Sequence, residues 1–141
     1  MQKVWRNIML LYFLGLILLH LGARQRLAQS AVNLIPFQTI SRYILYHNQY
    51  NAEIIWVNLV LRFMVFAILG ILVALAYRKL SMKKCWQSGL VIFLVTILLE
   101  TLQYILKIGY FDVDAIILAV ACYYAGLFIT RGTALLLKNK N

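Results

Sequence analysis

The fold class predicted by the sequence is all-α: a polytopic membrane bundle of four transmembrane helices, with a short interfacial helix in the first outer loop. Three observations predict it. First, 64% of the 141 residues are hydrophobic and only 13% are charged, well above the roughly 45–50% apolar share of soluble domains, so too few polar residues remain to cover a water-facing surface. Second, four apolar runs approach the ~20 residues that a helix needs to cross a bilayer. Third, these runs are apolar on every side, without the period-two alternation of a membrane β-barrel. A single proline and seven glycines leave no room for a linker, and the chain reads as one transmembrane domain over 1–141.

The first run spans 7–23. Lys3 and Arg6 ahead of it, and Ala28-Gln29-Ser30 behind it, resemble a signal peptide, but the run is long for that role and Arg24 and Arg26 precede the cut, so a retained helix is expected. The second run covers 54–77 and the third 86–106. The fourth, 115–130, reaches only about 24 Å at 1.5 Å per residue. It must either continue past Arg131 through Thr133-Ala134-Leu135-Leu136-Leu137 or sit in a bundle that thins the bilayer. Between the first two runs, Ile40, Tyr43, Ile44 and His47 recur at helical spacing against Thr39, Ser41 and Arg42, which predicts the interfacial helix.

Charge gives the orientation. With four spans, Lys3, Arg6, Arg78, Lys79, Lys83, Lys84, Arg131, Lys138 and Lys140 share one side, while Arg24, Arg26, Arg42 and Lys107 share the other and Arg62 lies within the second span. Cytoplasmic loops carry the excess of Lys and Arg, so both termini are expected in the cytoplasm of a multi-pass cell-membrane protein. The formal charge of +10 is thereby accounted for by topology and by attraction to anionic lipid. No basic domain stands clear of the bilayer to bind nucleic acid.

The polar residues are few. Cys85 and Cys122 belong at different depths and are not expected to pair, although Cys85 after Lys83-Lys84 is placed as an acyl-accepting or plain interfacial thiol. His20 and His47 lack a metal-binding spacing, so no metal site and no cofactor are read. All four acids, Glu53, Glu100, Asp112 and Asp114, fall in the outer half. Glu100 lies about 9 Å from the outer end of its span and Arg62 about 12 Å from the outer end of the preceding one. An ionisable group within a span is a functional candidate by default, and matching depth on adjacent antiparallel helices predicts an Arg62–Glu100 pair. Asn58 and Gln103 lie on the same helix faces as these two.

Five blocks in order, Asn33-Leu34-Ile35-Pro36-Phe37, an apolar helix reaching Gly70, Glu100-Thr101-Leu102-Gln103, Phe111-Asp112-Val113-Asp114 and a last helix, resemble the VanZ-like family from about Asn33 to Gly126. In the second span that family usually places Asn four residues before a Phe and Pro two after it, where this chain has Arg62, Phe66 and Ile68. In the last motif, Ala115, Ala119 and Cys122-Tyr123 replace an Asp, an Asn and a glycine pair, leaving Asp112, Asp114 and Gly126. The resemblance implies a divergent member of a family named for a teicoplanin-resistance accessory protein of Gram-positive bacteria, with its motif residues near the outer membrane face.

Two functions follow as expectations. The first is an accessory or binding role in the bacterial cell envelope, in which a polar cup of Asn33, Pro36, Phe37, Arg62, Glu100, Gln103, Asp112 and Asp114 holds an outer-leaflet ligand, lipid-linked or glycopeptide-related, with a link to glycopeptide resistance. The second is a membrane enzyme acting on a lipid-linked envelope precursor, with Glu100 and Asp112/Asp114 as acid and base or as cation ligands. No nucleophile–base pair is recognisable, so no catalytic residue is assigned. Membrane lipid is an expected partner, and a second copy of the chain is a compatible one.

Overall fold

The structure, a computed structural model, describes residues 2–22, 32–45, 52–77 and 81–138. Its elements in chain order are α1 (Gln2–Gly22), β1 (Val32–Asn33), α2 (Gln38–Leu45), α3 (Ala52–Ala76), α4 (Met82–Ile105), β2 (Phe111–Asp112) and α5 (Val113–Lys138). Among the described residues, three helices are long and apolar enough to cross a membrane, through the stretches Gln2–Leu19, Met82–Ile105 and Val113–Ala134. Helix α3 is 25 residues long, and its described apolar stretch is Met64–Ala76.

The centre of the bundle is the contact between α3 and α5. A side chain at Gly70 would meet the Tyr123 carbonyl and, at 2.8 Å, the Leu127 amide nitrogen; one at Gly126 would meet the Ala67 carbonyl. The two glycines let the backbones touch, the usual device where lipid removes any hydrophobic drive between helices. Around this contact Phe66, Leu69, Ala119, Tyr123 and Leu127 are buried, with Leu16 from α1 and Ile92 and Cys85 from α4 closing the cluster. The Tyr12 hydroxyl donates to the Val65 carbonyl at 2.9 Å and ties α1 to α3.

Helix α4 starts earlier than its apolar run. Ser81 is the N-cap, its side chain accepting the Lys84 N–H at 3.4 Å, and one turn later Cys85 is buried. The thiol accepts from the Arg131 guanidinium, and its burial leaves it closed to an acyl donor in this fold. Cys85 and Cys122 are both free. At its other end α4 closes in a Schellman turn: the Lys107 N–H reaches the Tyr104 carbonyl at 3.2 Å and the Ile108 N–H reaches that of Gln103 at 3.0 Å. Lys107 takes the left-handed conformation there, with φ 56°, where glycine is usual.

Of the two outcomes open for the fourth run, helix α5 takes the longer one and continues past Arg131 to Lys138. Across the polar Thr-Arg-Gly-Thr stretch the Thr130 hydroxyl donates to the Gly126 carbonyl at 2.9 Å and that of Thr133 to the Thr130 carbonyl at 3.0 Å, so both hydroxyls find partners within their own helix. Between α4 and α5 the chain passes through β2, which pairs in parallel with β1, Val32 beside Phe111 and Asn33 beside Asp112. This short bridge sets α2 on the end of the bundle where α4 leads into α5. The short helix expected in the first loop thus has residues 38–45; His47 lies outside the described residues.

Candidate functional site

The site is built from two loops that meet at that end. The first loop supplies Asn33 to Ile40. Its Asn33 Oδ1 accepts the Ile35 N–H at 3.2 Å, and the Gln38 N–H returns to the Ile35 carbonyl at 3.2 Å. Pro36 is the second residue of this turn and Phe37 the third, with φ 64°, the dihedral pattern of a type II turn. Proline suits its place, but the third position favours glycine, and a bulky residue there costs about 1–2 kcal/mol. Something outside the turn must hold Phe37 in place.

Asp114 does so. Its Oδ1 accepts the Phe37 N–H, while Oδ2 accepts the N–H groups of Thr39 at 2.7 Å and Ile40 at 3.3 Å. These are first-turn donors of α2, which an isolated helix leaves unsatisfied, so a carboxylate 77 positions away from Phe37 caps α2 in place of a local side chain. Asp114 is itself in the first turn of α5, where the helix macrodipole favours an anion. The N-terminal ends of two helices therefore converge on one carboxylate, which is buried.

Asp112 serves the other helix. It is the residue before α5, and its Oδ1 accepts the Asp114 N–H at 3.1 Å, an ordinary N-cap. The same oxygen accepts from Asn33 Nδ2 at 3.0 Å and from the Thr39 hydroxyl at 3.3 Å. Asn33 Nδ2 also donates to Thr39 Oγ1 at 2.8 Å. Thr39 is thus a hub that touches Asn33, Asp112 and Asp114. By sequence it belongs only to the polar side of the α2 stripe; its place in the first turn of a helix that lacks a local cap was the available signal.

Beneath these groups, Glu100 and Gln103 on α4 are fully buried. Glu100 Oε2 accepts the Asp112 N–H at 3.3 Å, so three acids share one layer. Donated N–H groups and two helix N-terminal ends make that arrangement tenable. Of the eight residues expected in the cup, Asn33, Phe37, Asp112 and Asp114 are joined by hydrogen bonds. Glu100 joins through the Asp112 backbone, and Pro36 shapes the turn. Gln103 is buried one turn from Glu100, its carbonyl closing the end of α4. The side chains of Arg62 and Asn58 lie outside the described residues, and with them the expected Arg62–Glu100 pair. Among the described residues, no group of three or more His, Cys, Asp or Glu side chains is placed to hold a metal ion.

Long apolar helices, with a polar loop fastened over one end by carboxylates set at the start of the last helix, define a multi-pass membrane protein. The order of its blocks along the chain narrows the class further. A family model described as VanZ/LLP1 matches residues 4–137, nearly the whole chain, and the protein belongs to that family. No curated protein and no solved structure matches it.

Proposed function

We propose that the protein is a four-span envelope membrane protein, with both termini cytoplasmic and α2 at the outer interface, that acts by binding rather than by catalysis. Its ligand on this reading is lipid-linked or glycopeptide-related and is met at the outer leaflet, where an accessory role in glycopeptide resistance fits the family. The observation that carries the reading is the commitment of the Asp112 and Asp114 carboxylates. They accept five donors from the first loop, the N–H groups of Phe37, Thr39 and Ile40, the Asn33 amide and the Thr39 hydroxyl. An acid–base pair for hydrolysis needs carboxyl groups open to substrate; these two instead shape a surface. The four-span reading counts α3 beside the three helices long and apolar enough to cross a membrane, and the orientation is supported by the basic residues at the N-terminus, the α3–α4 turn and the C-terminus.

The test is glycopeptide susceptibility in a Gram-positive host. Expression of the chain is expected to raise the teicoplanin concentration needed to inhibit growth. Asp114→Ala, at equal membrane abundance, is expected to abolish the effect. A protein present in the membrane without any change in susceptibility would overturn the resistance reading. Protection that survives Asp114→Ala but is lost in Glu100→Gln would favour carboxylate chemistry at Glu100 over binding.

A further inference from the structure

The tip of the first loop is apolar and turned outward. Leu34 is 65% exposed, Ile35 60% and Phe37 57%, three large side chains around one proline, between Asn33 and Thr39, whose side chains are hydrogen-bonded. In a loop washed by water such a cluster is unfavourable, and contiguous exposed apolar surface of this kind marks an interaction site. The turn adds a second oddity, because Phe37 is held in a left-handed conformation while its side chain stays exposed rather than packed into the core.

The level of the tip is fixed by its attachments. Asn33 pairs with Asp112, and the Phe37 N–H is held by Asp114; the apolar stretch of α5 that is long enough to cross a membrane begins between them, at Val113. The corresponding stretch of α4 ends at Ile105, and the exposed side chains there include Tyr104, Ile105 and Tyr110. Tyrosines on such a rim are the residues enriched where a membrane meets water. The tip is therefore continuous with the end of the lipid-facing surface, not raised above it.

We propose that residues 34–37 form a wedge that inserts Leu34, Ile35 and Phe37 into the acyl boundary of the surrounding bilayer, and that Asp114 is the clamp that keeps the wedge in this pose. The occupant of the apolar tip is lipid. The inference goes beyond the binding role above and does not require any ligand in the polar cluster. The clamp explains why a buried carboxylate is aimed at the amide of Phe37, which among the described residues of the loop is the one with a strained, left-handed backbone.

Spin labels test it in the full chain reconstituted in phosphatidylcholine/phosphatidylglycerol bilayers. Single cysteines replace Leu34, Ile35 and, as a control on the exposed face of α2, Ser41. The unmodified chain, whose Cys85 and Cys122 are buried, reports background labelling. Collision with oxygen is expected to exceed collision with an aqueous nickel chelate at 34 and 35, at a depth of about 5–10 Å, and the reverse is expected at 41. In Asp114→Ala the labels at 34 and 35 are expected to move toward the chelate. Chelate access at 34 and 35 equal to that at 41 would overturn the wedge, and protection from both colliders would assign the tip to a second copy of the chain instead of lipid. Unchanged depth in Asp114→Ala would overturn the clamp. If that variant does not fold, Asp114→Asn, which keeps an acceptor oxygen, tests the clamp by a partial shift. The depths in the otherwise unaltered chain decide the wedge in any case. Susceptibility to teicoplanin is read separately, so either proposal can fail without the other.

Discussion

The middle of the bundle and its loop end are held by opposite means. At Gly70 and Gly126, two backbones touch and almost nothing polar takes part; at Asp112 and Asp114, one layer of carboxylates gathers donors from a loop more than 70 positions away. The first arrangement depends on shape and tolerates no added volume. The second depends on acceptor atoms and tolerates change only where those atoms persist. In a membrane this division has a physical cause: within hydrocarbon, packing is the main force between helices, while a loop without regular ladders must find partners for every buried amide.

Breaking the middle is expected to have the largest effect. Gly126→Leu drives a side chain into the Ala67 backbone, with a cost at or above the upper end of the ~1–3 kcal/mol typical of overpacking, read as loss of the folded fraction in detergent thermal unfolding. Gly15, which has nothing within 4 Å, is the control: Gly15→Ala should stabilise α1 by up to about 1 kcal/mol.

Asp114→Ala comes next. It removes the acceptor of three amides, and since one hydrogen bond to a charged group contributes about 1.5–3 kcal/mol while the three share one carboxylate and do not add fully, a loss of at least about 3 kcal/mol is expected, confined to the first loop. Hydrogen exchange distinguishes the two regions. The amides of Phe37, Thr39 and Ile40 should lose protection while that of Leu127 keeps it; parallel loss at Leu127 would mean that the regions are not separable. Thr39→Val, which keeps shape and amide but deletes the hydroxyl, should cost about 1 kcal/mol and raise exchange at the same amides by a smaller factor.

The smallest effect has the opposite sign. Lys107→Gly relieves the left-handed residue of the Schellman turn. After allowance for the entropy of glycine it should gain about 0.5 kcal/mol, visible as a slight rise in melting temperature.

How much of this was legible in the sequence also differs between the regions. The long helices announce themselves by apolar length alone, but their ends do not. Met82 to Cys85 join α4 because Ser81 caps it, which hydropathy does not see, and α5 runs to Lys138, the longer of two lengths between which hydropathy did not decide. Gly70 and Gly126 stand out in the sequence only as family positions; that they face each other's helices is a tertiary fact. At the loop end, Asn33, Phe37, Asp112 and Asp114 were readable as blocks in order, and their shared side of the membrane followed from span counting. Thr39 was not, because its role depends on an acid that caps its helix from 75 positions away, and no local pattern encodes a cap supplied from a distance.

That long-distance cap also sets an order in time. When α2 leaves the ribosome, the carboxylate that will hold Phe37 is 77 residues short of being made, and at about 5–20 residues per second it follows about 4–15 s later. Throughout that interval the Phe37, Thr39 and Ile40 amides lack the acceptor they will have in the folded protein, and the Leu34 to Phe37 tip has no bundle end on which to rest. The nascent protein therefore passes through a stage in which its first loop is tethered only by sequence, and closure of the bundle is the event that the beginning of α5 brings about.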